Sequence, residues 1–269
     1  MAYGVLVFTD LDGTLLDADS QSWSPAAGAI NELKKREMPI MPVSSKTRAE
    51  AESFMKQMEV NGPLITENGS GIFVPKGYFP FEFKYDREVD NYCVIDLAQP
   101  YSKVREVLSE LKGLGEIVGF GDMSTKEIAE EMARDESLAE LAKKREYEEV
   151  FRFSGDEEVL KKALGERGVT WTSRGRYWRA RICGDKGEAV KRLVELYKTA
   201  DSGLKTVGLG DSFRDVSLLK AVDVPILIRR KDGSFDPEVT LECVRKSDSP
   251  GPQGWGEEIM KVLGEIPQG

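Results

Sequence analysis

Apolar runs of strand length alternate with stretches of helical periodicity over the first and last thirds of the chain. Val5-Leu6-Val7-Phe8 predicts a buried strand that ends at Thr9-Asp10. Ser24-Pro25 has the form of a helix cap followed by a proline suited to the first turn, and Ala26, Ile30 and Leu33 then fall on one face. Residues 38–43 predict a short strand, irregular because of its prolines, that finishes at Ser44-Ser45. A helix over 47–58 gathers Ala51, Phe54, Met55 and Met58 on one side. Residues 64–66 form a third strand ending in Glu67-Asn68-Gly69, and a hairpin is expected between 72–74 and 78–81. Near the other end, a helix from about Asp185 carries Val190, Leu193, Val194 and Tyr197. It is followed by a strand at 207–209, a short helix at 212–222 and a strand at 224–228. Trp255, Ile259, Leu263 and Ile266 then mark a terminal helix. Repeated β-then-α units predict an α/β fold, a parallel sheet with helices on both faces.

The middle of the chain has a different order. Strands are expected at 92–97, 117–120, 150–153, 169–172 and 177–182, with charged helices at 102–112, 125–132, 138–146 and 156–166. This pattern suits an α+β module inserted into the α/β domain. The expected boundaries are 1–82 and 185–269 for the two parts of the core and 83–184 for the insertion. The charge run at 140–149 reads as a solvated helix face.

Composition narrows the chemistry. The 269 residues carry 38 Lys and Arg against 47 Asp and Glu, a net charge of −9, which argues against a nucleic-acid surface. No apolar run approaches the roughly 18 residues of a membrane span, so no membrane partner is expected. Cys93, Cys183 and Cys243 lie far apart without metal-site spacing, in keeping with a reducing cytoplasm. There is no histidine, which removes His-based phosphotransfer, a Ser-His-Asp triad and any imidazole-ligated metal. Catalysis must rest on carboxylates, Lys, Arg, hydroxyls or a hard cation.

Ligands of open parallel sheets bind beyond the carboxyl ends of the strands. Those ends carry Asp10 and Asp12, then Ser44 and Ser45, then Glu67-Asn68-Gly69, and later Asp185-Lys186, Asp211 and Asp215. Carboxylates so close raise one another's pKa unless a cation neutralises them, and without His or nearby Cys the fitting ion is Mg²⁺. A cation, a lysine and a hydroxyl form a site for phosphoryl oxygens, and a carboxylate can be the nucleophile. The competing local readings are ordinary. Asp12-Gly13 is a common turn pair, Ser44 is a possible cap for the helix at 47, and Asp215 is a possible loop brace.

Taken in order, "DLDGTLL", the hydroxyl at the second strand end, "DKG" and "GDSFRD" resemble the four motifs of the haloacid dehalogenase superfamily. The insertion between the second and third resembles the C2-type cap of its IIB branch. "SSKTRAEAE", "TENGSGIFVPKGYFPF", "STKEIAEE", "REYEE", "SRGRYWR" and "GPQGW" are similar to a subfamily of capped phosphatases acting on phosphorylated glycosyl-glycerates. The resemblance implies a Rossmann-like core with an α+β cap and a Mg²⁺-dependent phosphatase forming an aspartyl-phosphate. It implies Asp10 as nucleophile, Asp12 as acid and base, and Ser44 and Lys186 on the phosphoryl oxygens. Asp10, the Asp12 carbonyl, Asp211 and Asp215 are the implied metal set. Arg214 departs from the pattern, since relatives commonly have Asn there.

Substrate contacts are expected from Ser45, Lys46, Asn68, Gly69, Thr125 and Arg176. Arg174 and Arg176 share one face of a strand, Arg179 and Arg181 the other, so only one pair is expected to meet the substrate. A guanidinium there suits a carboxylate or phosphate, and the family resemblance favours Arg176. The expected partner is a small phosphorylated glycosyl-glycerate, with the chain a monomer or homodimer. The rival readings are another sugar-phosphate phosphatase, a phosphomannomutase-like transferase, a receiver-like phospho-aspartate switch and a sugar-binding module.

Overall fold

The computed structural model describes residues 4–201 and 203–266. The first part of the chain runs β1 (Val5–Thr9), α1 (Ala27–Lys35), β2 (Ile40–Pro42), α2 (Arg48–Gln57), β3 (Leu64–Thr66), β4 (Gly71–Pro75), β5 (Arg87–Val89) and β6 (Tyr92–Asp96). Next come α3 (Tyr101–Glu110), β7 (Gly115–Gly119), α4 (Thr125–Met132), α5 (Glu136–Lys143), β8 (Glu149–Gly155), α6 (Glu157–Glu166), β9 (Thr170–Arg174) and β10 (Tyr177–Arg181). The chain finishes with α7 (Lys186–Ala200), β11 (Lys205–Gly210), α8 (Val216–Lys220), β12 (Val224–Arg229), β13 (Arg245–Pro250) and α9 (Gln253–Glu265).

Five parallel strands in the order β13-β12-β11-β1-β2 form the central sheet. Side chains alternate across β1. Val5 and Val7 join Ile30, Leu33, Trp255 and Ile259 in one layer, while Leu6 and Phe8 join Val190, Leu193, Tyr197 and Leu218 in the other. Both faces are therefore apolar and covered by helices, which is why β1 reads as a continuous hydrophobic run. The antiparallel sheet β3-β4-β6-β5 extends this body through a parallel bridge between Val43 and Ile65. A second antiparallel sheet, β7-β8-β10-β9, has α3 and α6 packed through Phe151, Trp178, Leu160 and Leu164. It forms the α+β cap.

Several elements differ from expectation for physical reasons. Residues 78–81 are not a strand. Phe79 instead packs edge-on against Tyr197 with ring centroids 5.0 Å apart, and β4 pairs with β3 and β6. Residues 87–96, placed in the insertion by the boundaries expected from sequence, pair with β4 through β6. β13 was absent from the sequence pattern because "RKSDSP" has no apolar alternation; it is an edge strand paired to β12 and tied to α9 by polar side chains such as Arg245 on Glu265. Ser24 does not cap α1: it sits inside a 3-10 turn, Ser24–Ala26, that leads into the helix. Thr47 caps α2 in a reciprocal box with Glu50, which frees Ser44 from that duty.

The C-terminal helix reaches the start of the chain. Trp255 is fully buried, and its Nε1 donates to Thr9 Oγ1 at 3.0 Å; that hydroxyl donates onward to the Asp10 carbonyl at 2.7 Å. Gly251 lies so close to the Gly13 and Thr14 carbonyls that a Cβ there would overlap them. The "GPQGW" stretch thus braces the loop after β1. Trp255→Phe removes the donor and shrinks the side chain, with an expected loss of about 2 kcal/mol. A lower denaturant midpoint at unchanged slope checks this.

Candidate active site

Adjacent parallel strands place their carboxyl ends side by side. Asp10 follows β1 and Asp211 follows β11, with Asp10 N bonded to the Leu209 carbonyl at 2.9 Å. Ser44 follows β2 on the other side of β1 and is fully buried. Lys186 is the first residue of α7, whose N-terminus is capped by Asp185 accepting from Gly187 N and Glu188 N. Gly69, at φ +86°, lets the turn after β3 press onto the Asp185–Lys186 backbone, where any Cβ would overlap it. That contact fixes where the lysine enters the site.

Lys186 Nζ stands 2.8 Å from Asp10 Oδ1 and 2.7 Å from Asp215 Oδ1, all three side chains being nearly inaccessible. Asp215 Oδ2 accepts from Asp211 N, Ser212 N and Ser212 Oγ, so both oxygens of Asp215 are engaged in holding the β11 loop and the lysine. Carboxylate oxygens of Asp10, Asp211 and Asp215 lie within 4.8 Å of one another. Burial pushes Asp10 up to about 7; Asp215 and Asp211 add to the rise, and Lys186 opposes it. Burial and then Asp215 raise Asp211 to about 6. Lys186 is held above its usual range because these carboxylates outweigh the cost of its own burial. Three carboxylates against one ammonium leave two negative charges when ionised. The deficit and the all-oxygen donors fit a divalent cation, held through Asp10 and Asp211.

Asp12 has a separate environment. Its side chain is 42 % exposed. Lys46 Nζ and Gln21 Nε2 both reach its Oδ1 at 2.9 Å. Burial works against its charge, but Lys46, Gln21 and Arg179 together hold Asp12 below the usual carboxylate range. Lys46, expected as a substrate contact, is occupied by Asp12 and Gln21.

The cap meets this region through charge. Arg145 and Arg179 both donate to the Ser45 carbonyl, at 3.1 and 3.4 Å. Arg179 also pairs with the buried Glu148 at 2.9 Å, and Arg181 reaches the same carboxylate at 3.5 Å. Asn68 Nδ2 donates to Glu148 Oε2 at 2.7 Å. Glu67 accepts from the backbone N–H groups of Glu146, Tyr147 and Glu148. The expectation of a solvated helix across 140–149 is overturned: α5 ends at Lys143, and Tyr147, Glu148 and Glu149 are buried. Their polar atoms are satisfied by partners in the core and, for Glu149, by Tyr101 and Arg105 of the cap, which residue type alone does not reveal.

Asp10, Asp12, Ser44, Ser45, Lys46, Lys186, Asp211 and Asp215 therefore converge. Asn68 and Gly69 sit at the edge, bonded to the cap and packed on α7 respectively. Arg176 does not reach this region. It lies at the β9–β10 turn, 61 % exposed and paired with Glu131 at 2.7 Å. The facing pair is Arg179 and Arg181, since strand alternation turns Trp178 and Ala180 into the cap core. Thr125 is the first residue of α4, beside a cavity of about 660 Å³ between the cap helices α4 and α5 and core residues 19–21. Lys126, Arg134 and Gln21 line that cavity. Gln21, Arg145, Glu148 and Arg179 are the residues absent from the sequence-based site. Only "REYEE" and "SRGRYWR" carried any signal for them.

A parallel sheet with a carboxylate–lysine cluster at its strand ends and a cap over it defines a haloacid dehalogenase-like hydrolase. The family model of that description matches residues 7–233, and the chain belongs to the family. A protein of Methanococcoides burtonii named glucosyl-3-phosphoglycerate/mannosyl-3-phosphoglycerate phosphatase is 40 % identical over 97 % of both chains. Mannosyl-3-phosphoglycerate phosphatase of Pyrococcus horikoshii is 38 % identical over 83 % of this chain and 90 % of its own. Among solved structures, a superfamily phosphatase of Bacteroides thetaiotaomicron shares the fold at TM-score 0.69 and 16 % identity, over 96 % of this chain and 94 % of that one.

Two outcomes follow from the geometry. Asp10→Asn keeps the shape but removes the charge that Lys186 pairs with, so turnover is expected to fall by at least about 10⁴-fold with unchanged circular dichroism. Protons compete with a cation for Asp10 and Asp211, whose pKa values are raised to about 7 and 6. Divalent-cation affinity is therefore expected to weaken as pH falls from 8 to below 6. Calorimetry in buffers of differing ionisation enthalpy should show protons released on binding near pH 6 and almost none at pH 8.

Proposed function

We propose that this chain is a Mg²⁺-dependent phosphatase that releases phosphate from mannosyl-3-phosphoglycerate or glucosyl-3-phosphoglycerate. The observation that carries this reading is near full-length similarity to phosphatases of those names, combined with Asp10 against Lys186 and Asp12 two residues on. Asp10, Asp211 and the main-chain carbonyl of Asp12 would hold the ion, whose chemistry is to offset negative charge around the phosphoryl group.

In the first step a carboxylate oxygen of Asp10 attacks phosphorus and the phosphorus–oxygen ester bond breaks. Asp12, ionised at rest, takes up the proton that the phosphoryl monoester brings into the site and gives it to the departing glycerate oxygen. Water then attacks the aspartyl-phosphate, Asp12 takes its proton, and phosphate leaves with Asp10 restored. Lys186 and the Ser44 hydroxyl hold phosphoryl oxygens, and burial at the strand ends makes each of those contacts stronger than in water. The cap excludes bulk water and presents Arg179, whose charge also acts on Asp12, to the glycerate carboxylate. The polar cavity beside Gln21 and Lys126 suits the sugar.

Phosphate release across the two glycosyl-phosphoglycerates, mannose and glucose phosphates, and 3-phosphoglycerate tests the reading. The glycosyl-phosphoglycerates are expected to be preferred, with activity lost in chelator and restored by Mg²⁺. Preference for a simple sugar phosphate would overturn the substrate assignment.

A further inference from the structure

The loop between β1 and α1 carries a residue that the reaction scheme above does not use. Gln21 has its backbone in the left-handed region, φ +58°, which turns its side chain back toward the strand end. Its Nε2 donates to Asp12 Oδ1 at 2.9 Å, and its Oε1 accepts from Lys46 Nζ at 2.9 Å. Lys46 Nζ reaches the same Asp12 oxygen, also at 2.9 Å, closing a three-residue ring. Both donors meet Oδ1. Among the described residues Oδ2 has no partner and is the oxygen left to face the leaving group.

The loop that presents Gln21 is tied down from two directions. Within it, Asp17 accepts from Ser20 N at 2.8 Å and Asp19 N at 3.2 Å, while Gln21 N donates to the Asp17 carbonyl at 2.9 Å. From the cap, Arg134 between α4 and α5 donates to the carbonyl oxygens of Ala18 and Asp19, the first at 3.0 Å. The core side of the same loop is paired through Lys231 and Asp19. A guanidinium from the cap is therefore bonded to backbone within three residues of the amide that grips Asp12.

We propose that Gln21 is a positioning residue for Asp12 and that Arg134 makes its placement depend on the docked cap. With Oδ1 pinned, rotation of the Asp12 carboxyl is stopped and Oδ2 is presented to the leaving oxygen. With the cap withdrawn, Arg134 releases the loop and Asp12 loses its second donor. The acid–base residue is thereby set only when substrate is enclosed. Gln21 need not touch substrate for this.

This inference rests on the phosphatase reading, and the test separates the two. An alkyl ester such as mannosyl-3-phosphoglycerate needs a proton on its leaving oxygen, whereas p-nitrophenyl phosphate leaves as a stable anion. The parameter kcat/KM reports only the steps through release of that group. Gln21→Asn suits the left-handed backbone but is one methylene too short to reach Asp12. It is expected to lower kcat/KM for the alkyl ester by about 10- to 100-fold, and by a factor at least about tenfold smaller for the aryl ester. Arg134→Ala, far from the reacting atoms, is expected to shift the same ratio in the same direction by about three- to tenfold. Equal losses on both esters, no loss on either, or a loss carried by KM with kcat unchanged, as a lost sugar contact would give, would overturn the positioning role. A shift with Gln21→Asn but none with Arg134→Ala would overturn the link to the cap. A wild-type protein inactive on both esters would sink the phosphatase reading and the role of Gln21 with it.

Discussion

Everything at the strand ends answers to the repulsion among Asp10, Asp211 and Asp215. Three carboxylates within 4.8 Å cannot all ionise in a buried place without compensation. Lys186 supplies one unit of it, and its placement recruits distant chain: the Asp185 cap, the close approach of Gly69, and the β11 loop braced by Asp215. The charge still missing is what makes the cluster a seat for a divalent ion. Raised pKa values at Asp10 and Asp211 and a lowered one at Asp12 are consequences of the same layout. Asp12 differs because Lys46 and Gln21 both bond to it.

The cap is joined to the core by a second charge problem. Glu67 and Glu148 are buried: Glu67 is satisfied across the boundary by three backbone N–H groups at 146–148, and Glu148 by Asn68 of the core together with Arg179 and Arg181 of the cap. Breaking such contacts without replacement costs several kcal/mol.

The β1 run, the amphipathic helices and the strand-end carboxylates were legible because local periodicity and local chemistry agree there. The arginine assignment was legible in part. Alternation put Arg179 and Arg181 on one face, but that this face meets the core depends on how β10 sits against Glu148 and the Ser45 carbonyl. β13 was invisible because an edge strand held by backbone bonds and polar side chains needs no apolar pattern. The run at 145–149 misled because charged residues predict solvent unless their partners are known, and those partners lie at 45, 67, 68 and 105.

The sequence by itself determined the parallel α/β core, the inserted α+β module, the exclusion of histidine chemistry and the set Asp10, Asp12, Ser44, Lys186, Asp211. Each rests on residue type and on periods of two or 3.6 residues, which are properties of neighbours in the chain. Only tertiary structure decided that Asp215 braces the loop and the lysine, that Arg179 replaces Arg176 at the site, and that Gln21 and Lys46 share one oxygen of Asp12. Those are pairings between residues far apart in sequence. Their energies depend on burial and on a few tenths of an ångström, which no local pattern encodes.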